Sequence, residues 1–203
     1  MVAAAAGLRR RRLLALAALA PVARVRAGAQ VEEPLADSVR TALSAAVHNS
    51  APPVPEFSDP AQRARYQDWL AVHDKHLVSR MPEGHTRLDF LSTVWYEAKR
   101  AGLDVELVLG VVQVESAFRK FAISRVGARG FMQVMPFWAR LIGDGDPGVL
   151  FHTQTNLRFG CVILRHYMDR EAGDRFMALG RYNGSRGQAA YPDAVLAATR
   201  AWS

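Results

Sequence analysis

Residues 104–118, DVELVLGVVQVESAF, limit the fold of this chain more than any other stretch, because they set Glu115 inside an apolar run. The run predicts a helix with Asp104 near its start. A glutamate in a helical core is costly unless something compensates for its lost hydration. At about 100° per residue, Glu115 shares a face with Val108, Val111 and Val112, flanked by Leu107 and Phe118. Glu106, Gly110 and Gln113 fall on the opposite side. Desolvation on the apolar face is expected to raise the pKa of Glu115. The C-terminal end of the helix dipole pushes the same way. A carboxylic acid that keeps its proton near neutrality can donate it to a leaving oxygen. A buried glutamate can equally pair with an arginine, and Arg119, Arg125 and Arg129 follow closely. Helical geometry alone leaves a structural carboxylate and a catalytic acid on level terms.

The remaining chain reads as helices with short connections. DSVRTALSAAVHNS has a helical rhythm, with Asp37 or Ser38 as its cap. The proline-rich stretch 51–57 is an expected linker. SDPAQRARYQDWLAVHDKHLVSRM opens with a cap-then-proline signature. Its Tyr66, Trp69, Leu70 and His73 fall at helical spacing, and His73 and His76 read as a solvated face. HTRLDFLSTVWYEAKRAG carries a stripe of Leu88, Leu91, Val94 and Trp95 and ends at Gly102. After the Glu115 helix, RKFAISRVGARG reads as a loop. MPFWARLIG is a short helix and DGDPG a turn. QTNLRFGCVILRHYMDREAG, DRFMALGRYNG and YPDAVLAATRAW are three more helices. No alternating strand pattern and no internal repeat stands out, so the expected class is all-α.

The formal charge of +7 suggests a polyanion partner only until it is located. Residues 1–29 carry six arginines and no acid; the rest has 20 basic residues against 19 acidic ones. The basic balance therefore belongs to the leader, and a nucleic-acid partner is not expected. Four arginines, the apolar run LLALAALAPVA and the small residues Ala27-Gly28-Ala29 together read as a signal peptide cleaved near Ala29. The apolar run is well short of the ~20 residues a membrane-spanning helix needs, so no span is expected after cleavage. The paired arginines before Leu13 also fit a twin-arginine export signal. Cys161 is the only cysteine, which excludes an intrachain disulfide and a cysteine zinc cluster. It reads as a buried small hydrophobe. Asp144 and Asp146 read as turn residues, because position 12 of a calcium loop counted from Asp144 is Thr155 and not glutamate. Neither a metal nor another cofactor is expected.

Further along, GARGFMQVMP has glycines at 127 and 130 that let a backbone approach a ligand closely. Met132 and Gln133 add a soft apolar contact and a two-sided amide, a pair suited to an N-acetylated sugar. RYNGSRG sets Tyr182 and Asn183 at a helix end. Taken singly, the methionine and the tyrosine could be core and the asparagine a cap. In this order the elements resemble the soluble lytic transglycosylase (SLT) domain family. Its pattern of Glu-Ser, G-x-x-G-[LF]-M-Q-[LVI]-M-P, N-x-x-x-G and A-Y-N-x-G is matched by Glu115-Ser116, Gly127 to Pro136, Asn156 to Gly160, and Tyr182-Asn183. Arg181 stands where the family has alanine, and NGS stands where it has Asn-x-Gly. The loop after Asn183 is therefore expected to have its own shape.

The resemblance spans residues 85 to 203. It implies a lysozyme-like helical fold of the goose-type lysozyme and SLT kind, with little or no β structure. Together with the leader and the linker read from composition, it gives an expected division into a signal peptide at 1–29, an N-terminal helical segment at 30–80 with its linker at 51–57, and a catalytic domain at 81–203. It implies an exported enzyme, in a bacterial periplasm or secreted, that cleaves peptidoglycan glycan strands between N-acetylmuramic acid and N-acetylglucosamine. Glu115 would act as acid and then as base, giving a 1,6-anhydro product. Ser116 and Gln133 would hold substrate or orient Glu115, Tyr182 would lie near the carboxylate, and Met132 and Asn183 would line the glycan groove. Two rivals accompany this reading: a hydrolytic muramidase of the same fold, and a non-catalytic glycan-binding or scaffold module with a partner in an envelope-spanning complex.

Overall fold

The computed structural model describes residues 30–35, 37–48 and 55–203. The leader at 1–29 and residues 51–54 of the expected linker lie outside the described residues. Among the described residues eight α-helices run in the order α1 (Asp37–His48), α2 (Pro60–Leu77), α3 (Gly84–Arg100), α4 (Val105–Ser116), α5 (Pro136–Ile142), α6 (Thr153–Arg170), α7 (Arg175–Asn183) and α8 (Ala190–Ala201). A 3-10 turn, Pro147–Phe151, precedes α6. Among the described residues there is no strand, only isolated bridges of Arg129 to Ile123 and Val134. The protein is all-α.

Local chemistry starts and stops these helices where the sequence signals them. Asp59 accepts the Ala61 N–H at 2.8 Å, and Pro60 supplies the first helical residue of α2. Asp174 caps α7 through the Met177 N–H at 3.0 Å. Gly102, at φ +65°, follows α3 in the left-handed conformation that glycine adopts without strain. Asp37 is the first residue of α1 and not its cap; it places negative charge in the first turn, where the helix dipole favours it.

Helix α4 is enclosed almost all round, which departs from the single apolar face read from its periodicity. Gly110, on the side expected to be polar, lies against α8. A Cβ there would sit 2.6 Å from Thr199 Oγ1 and 3.0 Å from the Val195 carbonyl oxygen. The polar side chains of that side are tied down by two tryptophans. Trp69 Nε1–H donates to Glu106 Oε1 at 3.2 Å, and Trp202 Nε1–H to Gln113 Oε1 at 2.9 Å. His73, expected in solvent, is buried. It stacks on Trp69 with 4.4 Å between ring centroids, and its Nε2 lies 3.0 Å from the Trp202 carbonyl oxygen. The α3 stripe also shifts: Leu88 is exposed, whereas Arg87 turns inward. Arg87 bonds both Asp74 oxygens and the carbonyls of Met81 and Pro82, fastening the α2–α3 corner.

The segment before the linker is part of the body. Helix α1 packs on α5 and α6. A helix C-terminus leaves carbonyls without intrahelical partners, and two arginines take them: Arg100 donates to the Ala46 carbonyl and Arg158 to that of Val47. Both arginines converge on Glu97, which is 1% exposed; Arg158 lies 2.9 Å from Glu97 Oε1 and Arg100 lies 3.2 Å from Oε2. Cys161 is buried beside them, and burial followed by the charge of Glu97 pushes its thiol pKa well up. It is the inert hydrophobe its surroundings in the sequence indicate.

Removing one partner of a buried ion pair strands the other charge. Glu97→Ala leaves both arginines without their carboxylate and should therefore lower the unfolding free energy by about 3–5 kcal/mol in urea titrations; Glu97→Leu with Arg158→Met should cost less, because the remaining Arg100 is partly exposed. A second link is pH-dependent. His48 Nε2 lies 2.8 Å from Asp144 Oδ1, and this bond, then the Ser44 carbonyl, raises the His48 pKa above 6.5. A raised histidine pKa stabilises the fold below the free value and is lost as pH rises through the folded one. An NMR titration should place the His48 midpoint above 6.5. Asp144→Asn should return it toward the ordinary value.

Candidate active site

Glu115 occupies the last turn of α4 and is 5% exposed. Its Oε1 accepts the hydroxyl of Tyr191 at 2.7 Å. Tyr191 is in the first turn of α8 and is itself buried, so the two helices that meet at Gly110 also bring this pair together. Burial first, and then the nearby Glu115 charge, pushes the Tyr191 phenol pKa well up. The phenol thus keeps its proton and remains a donor to the carboxyl group at any ordinary pH.

The backbone turns sharply behind Glu115. Ala117 (φ +50°) and Phe118 (φ +64°) are consecutive non-glycine residues in the left-handed region, and Gln133 (φ +49°) is a third. Each costs about 1–3 kcal/mol and persists only where its surroundings enforce it. Ala117 ends the helix with its N–H on the Gln113 carbonyl. Phe118 is held in the core by edge contacts to Phe90 and Trp202 at 5.9 and 5.4 Å. The chain then forms a compact loop in which Arg129 and Val134 exchange both backbone bonds and the Gly130 N–H reaches the Ala122 carbonyl.

Asn156 is the clasp of this loop. Its Oδ1 accepts the Met132 N–H at 2.8 Å, and its Nδ2 donates to the carbonyls of Arg129 and Leu150, each at 2.8 Å. Gly130 is required there, since a Cβ would fall 2.3 Å from Asn156 Nδ2. One turn along α6, a Cβ on Gly160 would strike Met132 Sδ at 2.2 Å. Asn156 and Gly160 are thus the polar and the steric half of one socket, which explains their four-residue spacing.

The residues singled out in the sequence are placed as follows. Ser116 is buried and donates its hydroxyl to the Val112 carbonyl of its own helix. Met132, expected along a groove, is fully buried in the Gly160 socket. Gln133 donates from Nε2 to the carbonyls of Ala122 and Gly130, at 3.1 and 2.8 Å, and braces the loop from within. Tyr182 is fully buried and donates to the Met132 carbonyl at 2.8 Å. Burial, and next the charge of Glu115, raises its phenol pKa. Asn183 donates to Ser185 Oγ at 3.1 Å, while its Oδ1 is buried without a hydrogen-bond partner. Tyr191, the residue bonded to the carboxyl group, gave no sign in the sequence beyond being an aromatic with a polar end at the start of a helix. Asn156 was legible as part of a spaced motif, but its three backbone bonds were not. On the outside of the loop Phe121, Ile123 and Val126 are exposed.

Asp144 bonds His48 and Asp146 caps the 3-10 turn through the Gly148 N–H at 2.7 Å, so both are occupied away from Glu115. Among the described residues no group of three His, Cys, Asp or Glu side chains gathers, and no helix is long and apolar enough to cross a membrane.

The chain is 30% identical over 144 residues to membrane-bound lytic murein transglycosylase C of Actinobacillus pleuropneumoniae serotype 5b (strain L20), covering 62% of this chain and 39% of that one. It is 46% identical over 113 residues to the protein of that name from Mannheimia succiniciproducens, covering 48% and 32%. It is 36% identical over 102 residues to the transglycosylase of Enterobacteria phage PRD1, covering 50% and 37%. The chain thus spans less than two fifths of the length of these relatives. Among solved structures, an inactive mutant of lytic transglycosylase Slt from Pseudomonas aeruginosa aligns at 23% identity with a TM-score of 0.44, covering 70% of this chain and 27% of that one. The transglycosylase SLT domain family matches residues 92–193, half of the chain, and includes Glu115, the Asn156-clasped loop and both site tyrosines. The chain belongs to the transglycosylase SLT domain family.

Proposed function

We propose that this protein is an exported peptidoglycan lytic transglycosylase that cleaves the β-1,4 bond between N-acetylmuramic acid and N-acetylglucosamine. The observation that carries the reading is the buried Glu115 carboxyl group held by the Tyr191 hydroxyl at 2.7 Å, at the foot of the Asn156-clasped loop. Family membership and the names of the relatives support the substrate class. The arginine-led leader at 1–29 supports export to the periplasm or cell wall.

Glu115 first gives its proton to the glycosidic oxygen, and the bond to the anomeric carbon of the muramoyl unit breaks. The carboxylate then takes the proton of the C6 hydroxyl of that same unit, and the C6 oxygen bonds to C1. No water is consumed, and Glu115 ends protonated as it began. One carboxyl group serves both steps, unlike the two that flank the bond in ordinary glycosidases. The engagement of Asp144 and Asp146 elsewhere is consistent with this economy. Tyr191 positions Glu115 by holding Oε1, and Gln133 and Tyr182 keep the loop and its backbone in place. Asn183, beside Tyr182 at the end of α7, lines the glycan groove in this reading.

The decisive measurement is mass spectrometry of digested, purified sacculi. Release of 1,6-anhydro muropeptides is the expected outcome; reducing ends would identify a muramidase, and binding without cleavage a non-catalytic module. Glu115→Gln should reduce the release rate by about 10²–10⁴-fold, the usual worth of a positioned acid–base group, while co-sedimentation with sacculi persists. Tyr191→Phe removes one hydrogen bond to an ionisable group and should slow turnover by about ten- to a hundredfold in the same assay, with little change in the half-saturating sacculus concentration.

A further inference from the structure

Arg181, which stands where the family has alanine, and Arg186, in the loop after Asn183, meet on one carboxylate. Glu171, just past the end of α6, has a side chain only 7% exposed. Its Oε1 lies 2.6 Å from Arg181 Nε and 2.8 Å from Arg186 Nε, and its Oε2 accepts from Arg186 Nη2 at 2.9 Å. Arg181 precedes Tyr182 on α7, where the family has alanine. Arg186 is in the loop 184–189, whose sequence also departs from the family. Arg181 continues to Glu33, at 2.8 Å, and Glu33 also pairs with Arg170. The chain ahead of α1 is thereby drawn into the same cluster.

The loop is folded tightly back on α7. The Ser185 N–H donates to the Gly180 carbonyl at 2.7 Å, and a Cβ on Gly180 would lie 3.0 Å from Arg186 Cα. Gly184, at φ +78°, makes the reversal. Ser185 then holds the Asn183 amide, leaving Asn183 Oδ1 buried and unpartnered. Arg186 spans both oxygens of Glu171, a fixed two-point geometry that a lysine cannot reproduce. The Arg186 bond first, with those of Arg181, holds the Glu171 pKa down to about 2, so the carboxylate stays charged near neutrality.

We propose that Glu171, Arg181 and Arg186 form a positioning clasp that fixes the 184–189 loop against Asn183 and so sets the affinity of the site for the glycan strand. One of its members, Arg181, is a residue by which this chain leaves the family pattern. The proposal rests on the glycan-binding reading of the Asn183 end of the site. None of the three residues performs chemistry; each acts through the loop.

The test compares wild type with Arg186→Ala, Arg186→Lys and Glu171→Gln, measuring anhydro-muropeptide release against sacculus concentration. Loss of loop positioning removes binding that ground state and transition state share, so Arg186→Ala should raise the half-saturating concentration about five- to tenfold and change turnover less than about twofold. Arg186→Lys should recover less than half of the loss. Glu171→Gln should weaken saturation in the same sense; if Arg186 instead touched the substrate directly, freeing it would leave saturation unchanged or improve it, and the clasp would be overturned. A fall in melting temperature with unchanged half-saturation would also overturn it, since that is a purely structural role. If wild type releases no anhydro product, the transglycosylase reading fails. Co-sedimentation with sacculi then decides the clasp: at least about fivefold weaker binding by Arg186→Ala supports it, and equal binding overturns it.

Discussion

The close approach of α4 and α8 at Gly110 is the constraint from which the site follows. Without a side chain at Gly110, the two backbones come near enough for Thr199 and the Val195 carbonyl to occupy the space of a Cβ. That distance sets where the first turn of α8 falls, and it carries Tyr191 to within 2.7 Å of Glu115. The same contact buries the face of α4 that a periodicity argument assigns to solvent. Any larger residue at 110 would move the helices apart and the tyrosine with them.

Around this pair, the molecule compensates for its costs locally. The left-handed Ala117 and Phe118 are held by a backbone cap and by the ring contacts of Phe90 and Trp202. The strained Gln133 is held by its own side-chain amide, which bonds two carbonyls of the loop. Asn156 pairs the Met132 N–H and the Leu150 carbonyl of this buried segment and adds a second bond to the Arg129 carbonyl, which also accepts from Val134. The buried charges of Arg100, Arg158 and Glu97 are matched to one another and to the free carbonyls of α1. Backbone strain at Ala117 and Phe118 follows directly on the Glu115 turn and its supports sit one layer out, an arrangement that keeps the carboxyl group fixed.

Helix positions were legible because capping residues, prolines and glycines act locally. Asp59-Pro60, Asp174 and Gly102 mark boundaries that the structure reproduces. What escaped was what depends on a distant partner. His73 reads as a surface histidine until Trp202 is known to stack on it. Arg87 and Leu88 exchange places because Asp74 lies across the corner. Met132 reads as a groove contact until Gly160 is seen to open a socket for it. Glu115 was identifiable from its apolar face together with spaced motifs, but its hydrogen-bond partner lies 76 residues away, and no spacing rule connects them.

Gln30 shows that the site is also closed from the other end of the chain. Its Oε1 accepts the Trp138 indole N–H at 3.0 Å and the Met135 N–H at 3.4 Å, and the residue is buried against the start of α5. Met135 directly follows the Asn156-clasped loop. One of the first residues described thus converges with the fifth helix on the same few polar groups. A polypeptide emerging in order from its N-terminus has Glu115 long before it has Tyr191. The carboxyl group gains its orientation only when α8, near the end of the chain, folds onto α4. Assembly of this pair is therefore tied to the arrival of α8, and a copy cut before Tyr191 would keep the carboxyl group but lose the contact that aims it.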